Sequence, residues 1–198
     1  MERYTNRDNV STNPVKKLAP LALAADASGD IKCIAIVLAP RRNLATLLRE
    51  LKEIARAQEI HTSKLPRRTR EKLKEKIAEH TGELLAASIH LQDPLYKAAY
   101  RLLPPRASKK RARQAAWSQV INHIKQLVQQ AHSPTAVTEL HIDRELAEAA
   151  PQLAQAFPNA AIQVKGELYM VADIIAYANY TDPKWPKRAR VKETRIRL

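Results

Sequence analysis

The chain has 198 residues, a formal charge of +14 and 45% hydrophobic residues, which suits one domain with a sizeable core and excludes disorder throughout. Its single cysteine, Cys33, excludes an internal disulfide and a cysteine zinc cage, and its three glycines leave no Gly-rich phosphate loop. No apolar run is long enough to span a bilayer and residues 1–17 hold no apolar signal core, so we expect a cytoplasmic protein with no membrane partner and an attraction to polyanions.

Residues 1–20 lack periodicity and read as an extended arm. Two short apolar runs follow, Leu21–Asp26 and Ile31–Leu38, around a turn containing Gly29; they predict a β-hairpin whose first strand ends on an aspartate. Leu44, Leu47, Leu48, Leu51 and Ile54 recur at helical spacing and predict an amphipathic helix over Asn43–Gln58. A charged helix is expected over Arg70–Gly82, a strand over Leu84–Leu91, and a long helix over Lys109–His132. The long helix should bury Trp117, Val120, Ile121, Ile124, Leu127 and Val128. Next come a strand over Thr135–Ile142, a short helix over Asp143–Ala156, a strand over Ala161–Val164 and a helix over Glu167–Tyr180. From Thr181 the composition turns basic and shows no core-forming pattern, so residues 181–198 read as an extended tail. Interleaved strands and helices argue for an α/β layer fold over 21–180.

Four acids stand out by position. Asp26 ends the first strand, Glu59 follows the first helix, Asp143 ends a later strand, and Asp173 lies within the apolar stretch Val171-Ala172-Asp173-Ile174-Ile175-Ala176. A lone carboxylate in so apolar a helix is costly to bury without a partner. Carboxylates gathered from strand ends and a facing helix can hold one or two Mg²⁺ or Mn²⁺ ions and so serve phosphodiester hydrolysis. Each acid also has an ordinary structural role open to it. Asp26 suits a turn, Asp143 suits a helix N-cap, Glu59 suits a surface, and Asp173 suits an ion pair with an arginine.

The segments Asp26-Ala27-Ser28-Gly29, Glu59-Ile60-His61, His141-Ile142-Asp143-Arg144 and Val171 to Ala178 resemble the ordered signatures of the domain-of-unknown-function 3800 family. The resemblance spans Leu21 to about Tyr180 and implies a ribonuclease-H-like core, a mixed sheet flanked by helices, in which Asp26, Glu59, Asp143 and Asp173 are the metal-binding and catalytic acids. Ala27 stands where that family usually carries Glu.

Three basic clusters complete the reading. The first includes Arg67 and Arg68, the second Arg106, Lys109, Lys110, Arg111 and Arg113, and the third Lys184, Lys187, Arg188, Arg190, Lys192, Arg195 and Arg197. Arginine forks suit phosphates, and Trp185 in the tail suits either stacking on an unpaired base or docking on the core. We therefore expect an RNA-binding protein, a component of a ribonucleoprotein such as a ribosomal subunit in contact with ribosomal RNA and neighbouring ribosomal proteins. The alternative is a metal-dependent nuclease using the four acids.

Overall fold

The computed structural model describes residues 19–28, 31–93, 95, 97 and 108–196. The expected arm over 1–20 lies almost wholly outside them, as do the turn at Gly29, Arg106, Arg197 and the side chain of Lys109.

The hairpin forms from β1 (Leu21–Ser28) and β2 (Cys33–Pro40), paired antiparallel from Leu21 opposite Pro40 to Ser28 opposite Cys33. Both strands are apolar on both faces, as strands covered by helices on each side must be. Helix α1 (Arg41–Ala55) follows directly and buries Leu44, Leu47, Leu48 and Leu51. It stops where Arg56 turns left-handed (φ 52°) and its N–H reaches back to the carbonyls of Lys52 and Glu53. A 3-10 turn, Thr62–Lys64, leads to α2 (Arg67–His80), which starts after Pro66 and buries Leu73 and Ile77. Strand β3 (Leu85–Leu91) pairs antiparallel with β2.

Helix α3 (Lys109–Gln129) opens on Ser108, whose hydroxyl accepts from the Arg111 N–H at 3.4 Å, and buries all six apolar residues expected of it. Strand β4 (Val137–Ile142) lies parallel to β1. The helix expected over 143–156 divides into a 3-10 segment, Arg144–Ala149, and α4 (Ala150–Ala156) with Pro151 in its first turn. Strand β5 (Ala161–Val164) pairs parallel to β4. The chain then turns at Gly166, where a Cβ would lie 2.8 Å from that of Gln163 and collide with the His141 ring, and enters α5 (Tyr169–Thr181).

The tail is not extended. Residues Trp185–Arg188 form a helical turn, α6, and Lys192–Ile196 form β6, which adds to β3 in parallel. Trp185, Ala189 and Val191 are buried in the core on the α5 side of the sheet, with the Trp185–Arg188 turn packed on α5 and β6. Trp185 therefore docks on the core, and its expected role as a base-stacking surface is withdrawn.

The six-stranded sheet runs β5-β4-β1-β2-β3-β6, and β2 alone is reversed. This is the expected α/β fold, a mixed sheet flanked by helices, with β6 added at its edge. Alternation along β1 divides its side chains between two cores. Leu21, Leu23 and Ala25 face α3 and α4, while Ala22 and Ala24 face α1, α2 and α5. The ends of β1, β4, β5, β3 and β6 and the start of β2 share one edge, the carboxyl edge.

Candidate functional site

Asp26 continues the small-residue face of β1 after Ala22 and Ala24, so it points toward α5 at the carboxyl edge. Small residues on both sides, Ala22, Ala24 and Ala35 in the sheet and Ala172 and Ala176 in α5, belong to one packed cluster. This close packing leaves Asp26 only 4% exposed. Burial, then the charges of Asp173, Asp143 and Glu145, push its carboxyl up from 3.8 to about 9, against a backbone hydrogen bond from Ala27.

Asp173 sits in α5 among buried apolar neighbours. Its Oδ2 accepts from the Thr62 N–H at 2.9 Å and the Thr62 hydroxyl at 2.6 Å. Burial still holds its carboxyl above the ordinary value, with the two Thr62 bonds and the charge of His61 opposing. The partner expected as an arginine is thus a threonine. Tyr169, Asp173 and Tyr177 stand four residues apart on α5; the first two hold the segment between α1 and α2, and the third holds Arg70 in the first turn of α2. The Tyr169 hydroxyl reaches Glu59 at 3.5 Å, and the Tyr177 hydroxyl meets Arg70, whose guanidinium also lies 5.2 Å from the Tyr177 ring centre.

Asp143 follows β4 and caps the next segment, accepting from the Glu145 N–H at 3.4 Å, so its expected structural role is real. Its charge also falls on Asp26, Asp173 and Tyr169. Glu59 is exposed and pairs with His61 at 3.3 Å. Burial, followed by Asp143, Glu59, Asp173 and Asp26, pushes the Tyr169 hydroxyl to about 12. Asp26, Asp143 and Asp173 are therefore brought within one another's electrostatic reach, whereas Glu59 acts on the Tyr169 hydroxyl and not on the other three acids. Glu145, Thr62 and Tyr169 join them unforeseen; only the spacing of Glu145 to Asp143 hinted at any of these.

Among the described residues no three His, Cys, Asp or Glu side chains are grouped closely enough to form a metal cage. Mg²⁺ seldom uses one; it keeps several waters and takes one or two carboxylates along with substrate phosphates. A carboxyl whose proton is retained first by burial and then by neighbouring carboxylates suits such an ion, and Asp26, Asp173 and Asp143 are the residues that would hold it.

A cleft of about 630 Å³ runs along α1, lined by Arg41, Arg49 and Lys52, by Arg56 at the helix end and by His141; none of the four acids is on its lining. Arg41 pairs with Glu139 and Lys52 with Glu167, whereas Arg49 and Arg56 make no ion pair among the described residues. These cations escaped the sequence reading because they are spread along one helix face rather than clustered. The expected basic residues divide. Arg67, Arg68, Lys110, Arg111, Lys184, Lys187, Arg190 and Arg195 are exposed. Arg188 is held by Asp182 at 2.6 Å, Arg113 lies 3.7 Å from Glu148, and Lys192 bonds to Gln130. Among the described residues no helix is long and apolar enough to cross a membrane. No protein-family model matches the chain, and no curated protein matches it either.

Proposed function

We propose that this chain is a divalent-metal-dependent nuclease, acting on RNA foremost, with Asp26, Asp143 and Asp173 as its metal-binding acids and Glu59 beside them. The observation that carries the reading is the burial of Asp26 at the carboxyl edge, 4% exposed, within electrostatic reach of Asp173 from α5 and of Asp143 just past β4. Asp26 and Asp173 are buried together under the charge of Asp143, an arrangement that costs stability and that a purely structural role for Asp26 does not call for. A bound Mg²⁺ or Mn²⁺ would neutralise charge on the scissile phosphate. The chain's own part is to orient and attract. Thr62 fixes one oxygen of Asp173, leaving the other for a ligand, and the α1 cations attract a phosphate backbone to the protein. The likeness to the domain-of-unknown-function 3800 family rests on the motif residues alone and supports the same reading.

A second reading, a stable RNA-binding component of a ribonucleoprotein, is favoured by the charge of +14 and the exposed cations. The docked tail removes one of its supports. Both are tested on one substrate, labelled single-stranded RNA. Asp173→Asn keeps an acceptor for Thr62, so it should abolish Mn²⁺-dependent cleavage while leaving binding in EDTA unchanged. Full cleavage by that variant overturns the nuclease. Tight binding by the wild-type protein with no cleavage under Mg²⁺ or Mn²⁺ leaves the binding reading.

A further inference from the structure

A second cavity of about 590 Å³ opens on the same carboxyl edge, over β2, β3 and β6. Its lining includes Asn179 and Tyr180 from the last turn of α5, Lys32, His90, Glu193 and Arg195. Asn179 is 2% exposed, and neither its Nδ2 nor its Oδ1 has a hydrogen-bond partner among the described residues. A buried carboxamide left with donor and acceptor both unmet costs stability and calls for an explanation. Tyr180, next to it, is 51% exposed, an unusual display of aromatic surface for a core-facing helix. His90 is occupied differently: it contacts the Ser88 hydroxyl at 3.3 Å and Glu193 at 3.5 Å.

We propose that this cavity is a nucleobase pocket, in which the Asn179 carboxamide reads a base edge presenting adjacent donor and acceptor, and Tyr180 stacks on the ring. An asparagine amide matches the paired donor and acceptor of adenine, and an aromatic face serves any base. Lys32 and Arg195 on the lining supply cations for the attached phosphate. The placement fits a strand that also reaches the acids. Asp173 and Asn179 are on one helix, about 9 Å apart along its axis, so a base held here belongs to a nucleotide close to the one at the acidic site. The pocket thus deepens the nuclease reading and rests on it for its substrate class. A free nucleotide has the same base chemistry and is the other source.

The test uses the full chain in EDTA. Binding of a labelled short oligoadenylate is compared with that of an abasic strand of equal length, and AMP with ribose 5-phosphate. The wild-type protein should prefer the base-bearing strand by about tenfold or more, and Asn179→Leu and Tyr180→Ala should each erase most of that preference. Asn179→Leu should hold or raise Tm, because it removes two unpartnered polar atoms; should it fail to fold, the exposed Tyr180→Ala carries the test alone. Stabilisation by AMP but not by ribose 5-phosphate assigns the pocket to free nucleotides as well; preference confined to the strand assigns it to the polymer. Equal binding of base-bearing and abasic strands, or variants that keep the preference, overturns the pocket. Mn²⁺-dependent cleavage surviving that result would leave the nuclease reading standing, whereas base preference without any cleavage would end the nuclease reading alone.

Discussion

Asp26 holds its proton in the folded protein up to about pH 9, whereas the unfolded chain releases it near 3.8. Across that window the unfolded state binds fewer protons, so this residue makes stability fall as pH rises. Asp26→Asn removes the titration. Its stability advantage over the wild-type protein should grow between pH 5 and 9, by at most about 1.4 kcal/mol per pH unit, when followed by urea unfolding. Parallel pH profiles for the two proteins would contradict the burial and crowding described for Asp26. Excess Mn²⁺ should shrink the difference by favouring the ionised carboxylate in the wild-type protein. The acids were legible one by one because strand ends and an apolar helix make a carboxylate conspicuous. Thr62 was not, since nothing in Thr-Ser-Lys distinguishes a residue that bonds across about a hundred positions to α5.

At the scale of elements, reading succeeded where apolar residues are dense. The start of α3 and both ends of β5 agree with expectation, and the six apolar residues of α3 are buried. The ends of α1 and α2 were displaced because their starts follow prolines and the stop of α1 is a left-handed arginine that no glycine announced. The tail was missed for a different reason. β6 is an edge strand held to β3 by backbone pairing, so its side chains, Lys-Glu-Thr-Arg-Ile, show little apolar alternation. Its anchors, Trp185, Ala189 and Val191, are too sparse among lysines and arginines to make a pattern. Trp185→Ala should cost about 3–5 kcal/mol in urea unfolding, the range for emptying a large aromatic site in a core. A loss within 0.5 kcal/mol, the usual span for surface changes, would mean that the tail is not docked.

For the whole molecule, the net charge resolves into unequal parts. Arg188, Arg113 and Lys52 sit against acids, while Arg49 and Arg56 line the cleft along α1 without ion pairs among the described residues. Removing Arg49 and Arg56 together should flatten the dependence of log K on log salt for single-stranded RNA by about 1.4, the value for two phosphate contacts. The Arg188→Ala slope should stay near wild type. An unchanged slope for the double variant would remove the α1 face from the RNA path. The +14 charge raised the expectation of a polyanion partner from composition alone. Which cations are left without acids required the fold, because such pairing is decided by contacts distant in sequence.

The strand order also sets a timetable. β1, β2 and β3 can pair as successive neighbours, but β4 must find β1 across about a hundred residues, and β6 must find β3 across a similar stretch. Such distant pairings form slowly, because the loop entropy is lost before the contacts reward it. The three-strand meander is therefore the natural nucleus, and during refolding both its outer edges wait open to association with other chains. Asp143 and Asp173 reach Asp26 only when the second half of the chain arrives. The mutual repulsion of the acids is thus met at the last step of assembly and falls mainly on the unfolding rate, so a divalent ion bound there would act as a brake on unfolding more than an aid to folding.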